Sequence, residues 1–74
     1  MNLSQREMVV WHLEEFGSIN PLQAFADYGI MRLGAIIYSL RQEGYIILTE
    51  LSTGRNRFGN RVHYAVYKYK KGAE

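Results

Sequence analysis

Start and stop signals cut the front of this chain into three short helices, and they constrain the fold more than any other feature. Ser4-Gln5-Arg6-Glu7 is a capping box: the Ser4 side chain caps a helix start while Glu7 reaches back to the Ser4 amide. Val9, Leu13 and Phe16 follow at helical spacing, with Met8 and His12 beside the stripe, and Gly17 closes the segment. A first helix is expected from about Ser4 to Phe16. Ser18-Ile19 is a short extended link. Asn20 then caps a second helix, with Pro21 at the first helical position, where its missing N–H costs nothing. Leu22, Phe25 and Ala26 form one face of this helix, and Tyr28-Gly29 breaks it. A third helix starts near Met31 or Arg32 and ends at Gly44. Leu33, Ile37 and Leu40 give it a buried stripe, with Ile36 close to the edge.

The pattern then changes period. Tyr45 to Leu51 is rich in β-branched and aromatic residues and reads as a strand. Ser52 to Asn60 is polar, basic and punctuated by glycine, as a long hairpin connection would be. Arg61 to Tyr69 reads as the returning strand. Val62, Tyr64 and Val66 alternate with His63, Ala65, Tyr67 and Tyr69, and periodicity leaves open which set meets the helices. Ile19 is available as a third short strand, and Lys70 to Glu74 are expected to fray. Two helices joined by a tight glycine turn make a helix-turn-helix unit. A hairpin following the recognition helix makes its winged form. The expected fold is therefore α+β: three helices, then a two-stranded β-hairpin wing. The 74 residues suit one domain over 1–74, with an ordered core of about 4–69.

Composition excludes several functions. Cysteine is absent, which removes disulfides, thiolate zinc sites, iron–sulfur clusters and thiol catalysis, and fits a reducing cytoplasm. The longest apolar runs fall far short of a membrane span, and the first residues lack the pattern of an export signal. His12 and His63 are the only histidines and have no metal-ligand spacing. Glu14 and Glu15 are helix neighbours that point in different directions, so they make no catalytic pair. No phosphate loop or nucleophile–base arrangement is visible. A non-enzymatic protein with no cofactor and no metal is expected.

The net charge is a modest +2, but it is unevenly placed. Glu7, Glu14, Glu15 and Asp27 lie in the front of the chain, whereas Arg55, Arg57, Arg61, Lys68, Lys70 and Lys71 crowd the back. Such asymmetry suits a surface that meets phosphates; the plain alternative is a solvated hairpin. Opposite its stripe, the third helix carries Arg32, Ala35, Tyr38, Ser39 and Gln42, flanked by Arg41, with no carboxylate until Glu43. Groove reading needs small residues, hydrogen-bonding side chains and no acid there. Arg55, Asn56, Arg57 and Arg61 are the corresponding wing candidates, suited to a phosphate backbone or a minor groove. Trp11, Ile36 and Phe58 are candidates for a protein contact. Phe58 has two readings, folded back on the sheet or exposed as an anchor, and folding back is expected. The tyrosines of the strands read as half-buried packing rather than stacking platforms.

Four stretches carry a resemblance: Ile19-Asn20-Pro21-Leu22-Gln23-Ala24; Gly29-Ile30-Met31-Arg32-Leu33; Ile37-x-x-Leu40-Arg41-x-x-Gly44-Tyr45-x-Ile47; and Asn56-Arg57-Phe58-Gly59. The resemblance covers roughly residues 5 to 69, with these four stretches in order and in one register. The chain resembles small helix-turn-helix proteins that are commonly encoded by bacteriophages and prophages. The resemblance implies a winged helix-turn-helix fold and a DNA-binding role. Two positions depart from it: Ile36 stands where the family usually has arginine, and Gly34 where it tends to have alanine. An exposed Ile36 would suit a protein contact, while Gly34 costs about 1 kcal/mol of helix stability and points to a close approach.

The leading expectation is a transcriptional regulator of phage or prophage type, in the host bacterial cytoplasm. It would bind double-stranded DNA through helix three and the wing, with a homodimer as an open partner. The alternative is a winged helix that binds protein, such as a phage-encoded inhibitor of a host defence or transcription protein.

Overall fold

Reciprocal caps set the helices. In the computed structural model, which describes residues 3–70, the Ser4 hydroxyl accepts from the Glu7 amide at 3.1 Å. The Glu7 carboxylate accepts from the Ser4 amide at 2.8 Å. This box opens α1 (Gln5–Phe16), and left-handed Gly17 closes it. A second box opens α2 (Pro21–Tyr28): Asn20 Oδ1 accepts from the Gln23 amide at 2.8 Å, and Gln23 Oε1 from the Asn20 amide at 3.1 Å. At its end Gly29 (φ 69°) gives its N–H to Phe25 O at 2.9 Å, and the Ile30 amide reaches Ala24 O at 3.0 Å. The positive φ turns the chain sharply enough to drive Ile30 straight into the core, at 1% exposure. The third helix, α3 (Leu33–Gln42), starts without a side-chain cap; the Arg32 carbonyl takes the first amides instead.

Three strands complete the fold: β1 (Ser18–Ile19), β2 (Ile47–Arg55) and β3 (Arg61–Tyr69). They form one antiparallel sheet in the order β1-β3-β2. Ile19 pairs with Tyr67, so the third short strand expected at Ile19 is present. The hairpin departs from expectation. Its strands continue to Arg55 and from Arg61, with those two residues paired, so the long connection expected over Ser52–Asn60 shrinks to a turn over 56–60. Past the helices the hairpin meets water on both faces, so strand residues there need not be apolar, and their polar composition misread as loop. The Lys70 amide donates to Ile46 O at 2.8 Å, so Lys70 is tied to the sheet rather than frayed. The rest of the expected frayed tail, 71–74, lies outside the described residues.

Val9 and Leu13 of α1, Ile19 of β1, Ala24 of α2, Ile30, then Leu33, Ile37 and Leu40 of α3 and Ile47 of β2 make the core. Tyr45, Tyr67 and Tyr69 pack against it, which identifies the Ala65-Tyr67-Tyr69 set as the helix-facing one and agrees with the packing reading of these tyrosines. Two stripes were misjudged. Phe16, expected in the core stripe, is 65% exposed, and His12 is buried in its place. The helix ends at Phe16, so nothing beyond it covers the ring. On α2 the Leu22, Phe25 and Ala26 face looks to solvent, and Ala24 alone is buried.

His12 is 4% exposed, with Nδ1 2.5 Å from Tyr28 Oη. Its Nε2 has no partner among the described residues. Burial holds the imidazole below its ordinary pKa, outweighing the Asp27 carboxylate and a Ser18 backbone hydrogen bond, which act the other way. The unfolded chain therefore takes up a proton as pH falls through about 6.5, whereas the folded chain takes it up only at lower pH. Folding stability should decline on acidification from about pH 7.5 to 5.5. Thermal melts across that range check this: the parent should lose melting temperature, and a His12→Leu variant should lose much less. An equal loss in both would assign the effect elsewhere.

Candidate nucleic-acid interface

The sheet register fixes which wing residues share a face with α3. Ile47, Thr49, Leu51, Thr53 and Arg55 lie opposite Tyr69, Tyr67, Ala65, His63 and Arg61. Because side chains alternate, these ten residues point to one side, the side on which Ile47 is buried against the helices. Arg55 and Arg61 are direct cross-strand neighbours at its far end, where side chains sit about 5 Å apart. Like charges opposite one another on a sheet are unfavourable, and a bound anion would relieve that, while Arg55 Nη1 also donates to Gly59 O at 2.8 Å.

One residue joins the wing to the helix. Arg41 donates from Nε and Nη2 to Ile47 O, at 2.9 and 2.7 Å, and from Nη2 to Thr49 Oγ1 at 2.7 Å. Its guanidinium carbon is 6.0 Å from the centre of the Tyr67 ring. Three of its five N–H groups are thereby used inside the protein. Arg41, expected to contact DNA, is exposed and also acts as a strut from α3 to the base of β2 and β3.

The other helix candidates, Arg32, Ala35, Tyr38, Ser39 and Gln42, are all exposed. Ile36 is half-buried against the core, so it offers little to a partner. A side chain at Gly34 would meet only the Tyr67 hydroxyl, at 3.9 Å, so nothing within the molecule demands glycine there. Trp11 belongs to a different surface, beside Leu3, Val10 and Tyr45, and its ring meets Phe16 edge-on at 6.0 Å.

In the turn, Asn56 is a brace. Its Oδ1 accepts from the Phe58 amide at 2.9 Å and from the Asn60 amide at 3.0 Å. Phe58 is not folded back: it is 84% exposed. His63, not among the expected wing residues, shares the face of Arg61.

Carboxylates are kept from this face. No acidic residue occurs in α3, and none stands between Glu50 and Glu74. Glu43, just after α3, is paired with Arg6 of α1. Glu50 pairs with Lys68 at 3.2 Å, and both point to the sheet's opposite side. No group of histidine, cysteine and acidic residues that could hold a metal occurs among the described residues, and no helix there is long and apolar enough to cross a membrane.

Three helices, a tight turn before the third and a braced basic hairpin make a complete arrangement, and the sequence model of the winged helix-turn-helix domain matches residues 4–71. The chain belongs to that family. The winged helix-turn-helix domain is typically a non-enzymatic DNA-binding module. No curated protein and no solved structure matches this winged helix-turn-helix chain.

Proposed function

We propose that this winged helix-turn-helix protein binds double-stranded DNA and regulates transcription, with α3 in the major groove and the wing on the adjoining backbone. The observation that carries the reading is the carboxylate-free face on which α3 and the cross-strand pair Arg55 and Arg61 lie together. Tyr38, Ser39 and Gln42 are the base readers, glutamine matching adenine and serine either base type. Ala35 permits close approach. Arg32, Arg55, Arg57 and Arg61 take phosphates, and His63 joins them. A phage or prophage setting rests on the resemblance of four motifs across the chain.

Selection from random duplexes tests the reading. A motif should emerge, and affinity for it should fall steeply between about 50 and 200 mM salt. Tyr38→Ala with Gln42→Ala should lose the motif preference while keeping salt-dependent binding. Affinity that hardly changes with salt would defeat the proposal.

A second reading is favoured by the exposed α2 face. Leu22 and Phe25, at 75% and 56% exposure, line an apolar groove with Tyr64. Such a surface suits a protein partner, whether a second copy or a host protein. A pulldown that is lost on Leu22→Ser with Phe25→Ser, while duplex binding persists, would separate this contact from the DNA face.

A further inference from the structure

The wing tip holds an aromatic ring out in water by construction. Five hydrogen bonds lie within the turn. Asn56 Oδ1 takes the amides of Phe58 and Asn60; the Asn56 amide reaches Asn60 O and the Gly59 amide Asn56 O, both at 3.0 Å; Arg55 Nη1 donates to Gly59 O at 2.8 Å. Gly59 at φ 84° completes the turn in a conformation that side-chain-bearing residues rarely adopt. Phe58 stands at its apex, 84% exposed, although the apolar side chains of Leu51 and Val62 lie on the same hairpin. A slack loop would let the ring fold back onto the strands; this turn holds it out.

The ring's neighbours state what it suits. Arg57 precedes it, Arg55 and Arg61 flank the turn, and the nearest acid along the chain, Glu50, is paired with Lys68 on the other side of the sheet. An apolar ring between cations complements an anionic backbone enclosing a stack of aromatic bases. We propose that Phe58 is a wedge: it inserts between base pairs at a minor-groove step, partly unstacking them, while the arginines hold the flanking phosphates. Duplex deformation at that step would add sequence preference without base hydrogen bonds, favouring the easily opened TA and CA steps. The inference rests on the duplex-binding reading above.

The full chain is titrated onto mixed-sequence duplexes containing TA and CA steps, with 2-aminopurine placed at successive positions, at several salt concentrations. The parent should raise 2-aminopurine fluorescence at one or two adjacent positions only. Phe58→Ala should abolish that rise and bind roughly tenfold more weakly, the scale of one lost stacking contact. Its salt dependence should be unchanged, because no cation is lost. Phe58→Leu, still a wedge, should keep part of the signal. Melting temperatures should match throughout, since the ring touches no core. Parent-like affinity and fluorescence in Phe58→Ala, the result expected if the ring docks into a protein instead, overturns the wedge alone. Failure of the parent to bind any duplex overturns the DNA reading and the wedge together.

Discussion

Reversing Arg57 and Arg61 to glutamate together should weaken duplex binding about a hundredfold. Each substitution deletes a charge-assisted hydrogen bond of about 1.5 kcal/mol, and two such losses amount to about two decades in affinity. New carboxylates facing phosphates add repulsion, so this figure is a lower bound. The decisive readout is the slope of log affinity against log salt, which should become shallower by about two because two counterion-releasing contacts are gone. Folding should be untouched. Both side chains are exposed, and Arg61→Glu places a carboxylate opposite Arg55, exchanging a like-charge pair for an attractive one. Fluorescence anisotropy with the parent motif, alongside melting curves, checks both points. A double variant that binds within about threefold of the parent would take the wing out of the interface.

Ile37→Ala should bring the protein to the edge of unfolding. Ile37 is 1% exposed in the middle of the α3 stripe, between Leu33 and Leu40. Truncating a buried isoleucine costs about 2–5 kcal/mol, while a domain of this length holds only about 4–11 kcal/mol in all. In so small a domain each kcal/mol moves the melting temperature by about 4–8 °C, so a fall of at least about 8 °C is expected. Circular dichroism melts measure it. A shift below about 4 °C would mean that this stripe does not anchor α3. Any accompanying loss of DNA binding should match the unfolded fraction and disappear on cooling.

The helices were legible because their signals are local. Ser4 with Glu7, Asn20 with Pro21, and the stripe of Leu33, Ile37 and Leu40 act within one or two turns of the chain. The limits of the hairpin were not legible, because Ser52 to Arg55 gain strand structure from partners Arg61 to Tyr64 and not from any apolar pattern of their own. Burial on α1 and α2 was misjudged for a related reason. A stripe tells which residues share a side, but not how far a neighbouring helix extends to cover it, so Phe16, Leu22 and Phe25 are left in solvent. Of the candidate interface, the exposed residues of α3 and the basic wing were readable from composition. Arg41's internal duty was not, since it depends on where Thr49 and Tyr67 arrive from another part of the chain. Phe58 was misread too. Its outward pose follows from the turn around Asn56, whose hydrogen bonds no hydropathy pattern records.

The Arg41 strut carries a lesson for anyone transplanting specificity between proteins of this kind. Ala35, Tyr38, Ser39 and Gln42 sit at solvent and, on the proposed duplex-binding reading, can be exchanged one at a time, as interchangeable letters. Arg41, Thr49 and Tyr67 cannot, because their contacts brace the helix against the hairpin and work only together. A graft that imports a foreign α3 while leaving Thr49 and Tyr67 behind would carry the right alphabet on a misaligned frame.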